Sequence, residues 1–127
     1  SCEYILGPYL YYNFKGENGV LRNLAASENL WEQRIAVVTT FYFIRQGLLT
    51  PTFEICDLLL GNPHDLIHKA MGWMLREVGK RDKPALMEYL ESRISRLPRT
   101  TLRYAIERFS HDERREWLDL RNKVDGR

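Results

Sequence analysis

The chain has 127 residues, 44% hydrophobic and 28% charged, which suits one domain with one contiguous core and excludes a disordered chain. Nineteen Lys and Arg against seventeen Asp and Glu leave a net charge of +2, which says nothing about partners by itself. The distribution says more. Between Glu91 and Glu107 stand Arg93, Arg96, Arg99 and Arg103 and no acid, and fourteen of the nineteen basic residues are Arg, the side chain whose planar fork suits phosphate. No apolar run reaches the roughly 18 residues of a membrane span, so no membrane partner is expected, and the start does not read as a signal peptide. Cys2 and Cys56 form no CxxC, and His64 and His68 lack the further ligands of a zinc set. The reading is two reduced thiols, a cytoplasmic protein, and neither metal nor cofactor.

Ser1 to Asn13 has helical spacing and reads as the back half of a helix. Gly16 and Gly19 break the chain into a turn, and Val20 to Ala26 is a short helix with Ser27 as the cap for the next. Asn29 to Gln46 is a long helix, apolar on nearly every side, so it is central. Arg34 is its exception, one turn from Trp31; a buried guanidinium needs either a structural carboxylate or an anion brought by a ligand. Gly47 stops that helix. Thr50 caps the following one, Pro51 lies in its first turn, and Gly61-Asn62-Pro63 ends it.

His64 or Asp65 then opens a helix running to Gly79. On it Lys69, Gly72, Trp73, Arg76 and Lys80 form one stripe at helical spacing. Ile67, Ala70, Met71, Met74, Leu75 and Val78 fill the rest. A cationic stripe centred on an aromatic suits nucleic acid. The packing alternative makes Trp73 a core aromatic and Gly72 a place where two helices touch. Arg81 to Pro84 is a link. Ala85 to Ser95 turns Leu86, Met87, Leu90 and Ile94 inward. Pro98 opens a helix to Phe109, and a last helix from His111 to about Lys123 carries Trp117, Leu118 and Leu120.

No segment reads as a hairpin or a βαβ unit. The expectation is all-α, about eight helices in a single domain over residues 1–127. Trp31 and Trp73 lie on long helices, each preceded by a short one, and are 42 residues apart. That interval fits helical pairs of the HEAT or armadillo kind, whose stacking leaves a concave face for extended partners. No nucleophile elbow, Walker loop, dinucleotide fingerprint or H-E-x-x-H is present, and no activated nucleophile or base stands out.

Three stretches are recognisable together: Leu30-Trp31-Glu32-Gln33-Arg34-Ile35-Ala36-Val37, His68-Lys69-Ala70-Met71-Gly72-Trp73-Met74-Leu75-Arg76-Glu77, and Leu102-Arg103-Tyr104-Ala105-Ile106. They resemble the AlkD-like DNA alkylation repair family over essentially the whole chain. The resemblance implies a right-handed α-solenoid of HEAT-like pairs. It also implies a monofunctional DNA glycosylase that removes cationic alkylated purines, such as 3-methyladenine and 7-methylguanine, from double-stranded DNA. The alkylated base is already a good leaving group, so no general acid is required. Aromatic faces and a carboxylate stabilise the positive charge that develops on the sugar. By position, Trp73 matches the family's second aromatic at the lesion, Arg34 its arginine on the DNA backbone, and Lys69 and Arg76 motif positions assigned to phosphate. The family's Trp-Asp-x-x-Asp motif, which brings the catalytic Asp, would align just before Ser1. Either the chain belongs to a divergent branch or, as the half-helix at its start favours, it is a C-terminal part of a longer repair protein, crippled by itself and able to self-associate through the face of the missing helices. The reading of a different class is a non-catalytic helical-repeat module that binds DNA or a protein.

Overall fold

The computed structural model describes residues 19–125. Among them are seven helices and no strand: α1 (Gly19–Ala26), α2 (Leu30–Arg45), α3 (Thr50–Leu59), α4 (Asp65–Arg81), α5 (Lys83–Arg93), α6 (Arg99–Ala105) and α7 (His111–Asp125). The half-helix expected over Ser1 to Asn13, counted among the eight, lies outside the described residues.

Local signals explain most boundaries. Asn29, not Ser27, caps α2: its Oδ1 accepts from the Glu32 amide at 3.1 Å, satisfying one of the donors a helix start leaves open. Ser27 is used one step earlier, its Oγ accepting from the Asn29 amide at 3.0 Å. Gly47, at φ +85°, takes the left-handed turn after α2. Pro51 sits in the first turn of α3 as expected, whereas Thr50 is inside the helix and Leu49 precedes it without a side-chain cap. The expected link from Arg81 to Pro84 shrinks to one residue. Asp82 ends α4 and caps α5, accepting from the Ala85 amide at 3.1 Å.

The helices form two layers. In the first, α2, α4 and α6 run parallel. Asn62 Nδ2, just ahead of α4, donates to Gln33 Oε1 at 3.0 Å near the start of α2. Phe41 meets Trp73 midway, and an Arg81 Nη donates to the Arg45 carbonyl at 3.1 Å at the far ends. The same order holds between α4 and α6. Thr101 Oγ1 donates to the His68 carbonyl at 2.8 Å, Gly72 abuts Tyr104, and Arg76 reaches Glu107. The second layer joins α1, α3 and α5. Arg22 pairs with Glu54 at 2.7 Å, Phe53 stacks on Tyr89 at 4.7 Å, and Asp57 accepts from Tyr89 and Arg93. Burial alone would raise the Asp57 pKa, but the bonds from Arg93 and Tyr89 outweigh it and hold that carboxyl below its ordinary value. Between the layers lie Phe43, Ile55, Met71, Met74, Leu75, Leu86 and Leu90, all fully buried.

Helices α2, α4 and α6 begin at residues 30, 65 and 99, so equivalent positions recur about every 35 residues. This corrects the significance given to the 42-residue interval. Trp31 opens α2, whereas Trp73 lies in the middle of α4, level with Phe41. One inward assignment also changes. Met87 is exposed and Tyr89 is buried in its place, because the polar and apolar residues of α5 are mixed around its axis and the Phe53 and Asp57 contacts choose the face. Leu120 is exposed on α7. Helix α6 ends at Ala105 rather than Phe109; turns follow, and Arg114 Nη1 donates to the Phe109 carbonyl at 2.9 Å.

Candidate nucleic-acid interface

The open face of α4 is the one its sequence pattern marks out. Lys69, Trp73, Arg76 and Lys80 lie on the side opposite Met71, Met74, Leu75 and Val78, the four of which are fully buried. Gly72 departs from that description. A Cβ there would stand 2.4 Å from Tyr104 Cβ and 2.9 Å from the Thr101 carbonyl oxygen. Gly72 is therefore the point at which α4 and α6 touch, as the packing alternative held, and it does not face an open groove.

Trp73 is half-buried and leans toward α2. Its ring lies 6.0 Å from that of Phe41 at 50°, and it packs on the edge of the core. Phe41 is held in turn beneath Arg45, whose guanidinium lies 5.9 Å from the ring. Backing of this kind fixes an indole in place while leaving part of it accessible.

The cations of the stripe differ in what neutralises them. Lys69 is exposed and lies 3.1 Å from Asp65, one turn earlier. The bond to Asp65, and then that carboxylate's charge, raise the Lys69 pKa above its ordinary value. Arg76 is mostly covered and lies 3.0 Å from Glu107 beyond α6; Lys80 pairs with Glu77 at 2.9 Å. Arg34 is different. It is half-buried on α2, and among the described residues it has neither an ion-pair nor a hydrogen-bond partner. It lies seven residues before Phe41, two helical turns along the same edge of α2, which is the edge that meets α4. Of the two partners foreseen for Arg34, no carboxylate is present among the described residues. The seam between α2 and α4 thus carries an unneutralised guanidinium at one level and an aromatic pair two helical turns further on.

Sequence reasoning singled out Arg34, Lys69, Trp73 and Arg76, and the fold brings all four onto two adjoining parallel helices. It missed Phe41 as the support of Trp73 and Glu107 as the counter-charge of Arg76. The Lys69–Asp65 pair was legible from its i, i+4 spacing. The other two contacts join residues more than thirty apart and leave no local signal. Of the histidines on or before α4, His64 precedes the helix as its cap residue without a side-chain bond, and the His68 ring meets the Asn62 carbonyl at 2.5 Å. Cys56 is buried, and burial first, then the Asp57 charge, pushes its thiol pKa far up, so it is not a nucleophile.

A protein-family model described as DNA alkylation repair enzyme matches residues 1–109. No curated protein and no solved structure matches the chain. The matched span includes Arg34, Lys69, Trp73 and Arg76, and α7 lies beyond it.

Proposed function

Because this chain belongs to the DNA alkylation repair enzyme family, we propose that it forms part of a monofunctional DNA glycosylase that hydrolyses the N-glycosidic bond of cationic alkylated purines. The observation that carries this reading is Arg34, half-buried without a counter-charge among the described residues and set two helical turns along the α2–α4 seam from the level of the supported Trp73. A guanidinium in that position is stabilised by an anion from outside, and a DNA phosphate supplies one in the bidentate geometry Arg prefers.

In the proposed reaction the layers continue as a right-handed superhelix of HEAT-like pairs, with α2, α4 and α6 toward the duplex. Arg34 holds a backbone phosphate. Trp73 presents its accessible face to the lesion nucleotide, where the ring's negative face favours positive charge on the base and then on the sugar as the bond lengthens. Water adds at the sugar carbon, loses a proton, and the bond electrons leave with the purine, which departs neutral because alkylation had already made it a cation. Lys69 and Arg76 contribute backbone contacts by exchanging Asp65 and Glu107 for phosphate. The Lys69–Asp65 pair is a surface pair of small intrinsic worth, and Glu107 is exposed although Arg76 is mostly covered, so either carboxylate can give way to phosphate. The sequence contains no Trp-Asp pair, so the carboxylate of the family's motif is not assigned to a residue here.

The test is release of 3-methyladenine and 7-methylguanine from methylated duplex by this chain, with duplex binding measured in parallel. Release supports the glycosylase and shows that the carboxylate of the family's Trp-Asp-x-x-Asp motif is not required for it. Salt-dependent binding without release gives this chain only the holding part of the work. Neither release nor binding by the folded protein overturns the reading.

A further inference from the structure

The acid-free run of arginines that the sequence displays is divided by the fold. Arg93 is engaged by Asp57 in a two-bond fork, at 2.9 and 2.8 Å, and Arg96 lies close enough to help lower the Asp57 pKa. Arg99 and Arg103 are exposed on α6, one helical turn apart, and neither has an ion-pair or hydrogen-bond partner among the described residues. Arg115 on α7 is likewise exposed and unpaired. Two adjoining cavities of about 640 and 360 Å³ follow α6 and α7 and share Arg114 and Leu118 in their walls. Arg103 lines the larger; Arg99 and Arg115 line the smaller. Two carboxylates also line them, Glu107, which Arg76 already holds, and Asp119. Positive charge is therefore in excess along a groove.

This groove adjoins the Trp73 face. Tyr104 forms part of its wall and is also the residue against which Gly72 of α4 is pressed. Glu107 joins the two in the same way, lining the larger cavity while pairing with Arg76. The opposite wall is α7, which lies outside the span the family model matches.

We propose that the α6–α7 groove holds the sugar-phosphate backbone of DNA flanking the Trp73 site, with Arg99, Arg103 and Arg115 as the phosphate contacts. The inference rests on the reading of the chain as a DNA-binding protein. It adds a second contact region that extends the footprint onto α7. Backbone contacts carry no sequence or lesion information, so the groove contributes equally to alkylated and unmodified duplex.

The experiment is duplex binding of the whole chain over a range of salt concentrations. Wild type is compared with the double variant Arg99→Ala/Arg103→Ala, with Arg115→Ala, and with Arg22→Ala on the other layer as control. Each lost phosphate contact should flatten the plot of log affinity against log salt by about 0.9. The expected changes are therefore about 1.8 for the double variant, about 0.9 for Arg115→Ala and none for Arg22→Ala, the same on alkylated and unmodified DNA. Circular dichroism confirms that these exposed substitutions leave the fold intact. If wild type binds DNA and the groove variants keep its slope and affinity, the groove is not a DNA contact, and the reading of Arg34 and Trp73 stands. If wild type does not bind duplex at all, the functional reading fails and this inference fails with it.

Discussion

Gly72 and Trp73 are chain neighbours with opposite requirements. Gly72 must lack a Cβ because Tyr104 and Thr101 occupy the space one would take. Gly72→Ala should lower stability by about 1–3 kcal/mol, the usual cost of overpacking a well-packed contact, read as a shift in the denaturant midpoint. A fall of only a few tenths would mean α6 moves aside without cost. Trp73 has a supported face on Phe41 and an accessible one. Trp73→Ala should slow base release, where this chain or a longer form performs it, more than it weakens binding; equal losses would make Trp73 a packing residue. Arg34→Ala removes a charge that no described carboxylate balances. It should weaken duplex binding by about 1.5–3 kcal/mol, the worth of a hydrogen bond to a charged group, with little change in thermal stability. Unchanged affinity in the folded variant would remove Arg34 from the interface.

At the scale of elements, α7 is held to the rest of the described residues through side-chain bonds. It is tied by Lys83 to Glu113 at 2.8 Å, by Arg114 to the Phe109 carbonyl at 2.9 Å, and by Arg121 to the Leu97 carbonyl at 2.9 Å. The side-chain bond from Lys83, followed by the bond from the Ser110 amide, lowers the Glu113 pKa from 4.5 to about 2. A depressed carboxylate contributes stability that is fully present above the unfolded value of 4.5 and is lost as pH falls toward the folded value of about 2. Acidification through that window should loosen α7, reported by the emission of Trp117, which is partly buried against the core. Glu113→Gln should loosen it already at neutral pH and flatten the wild-type difference between pH 5 and pH 2, roughly the window set by the two pKa values. A variant whose emission follows wild type throughout would show that Glu113 does not hold the helix.

Across the whole molecule, the helical class, most helix boundaries and the side of α4 that stays open were legible, because each depends on residues within a turn or two of one another. Caps, a Pro in a first turn and apolar residues three and four apart act locally. Arg34, Lys69, Trp73 and Arg76 could be named for the same reason, since short motifs carry them. The position of one helix against another was not legible. The 42-residue interval between Trp31 and Trp73 suggested equivalence, whereas the helices of that layer start about 35 residues apart and Phe41, not Trp31, lies beside Trp73. The inward face of α5 had no clear period, and its partners in α3 decided it.

By itself the sequence determined the helical class, most of the points where helices begin and stop, and which side chains are candidates to meet a polyanion. These follow from backbone geometry and side-chain periodicity along one element. Only the tertiary structure decided that Gly72 is a helix contact, that Arg76 has Glu107 while Arg34 has no carboxylate among the described residues, and that Arg99, Arg103 and Arg115 share a groove. Charge balance and close packing are properties of what lies nearby in space, and here those neighbours come from other helices.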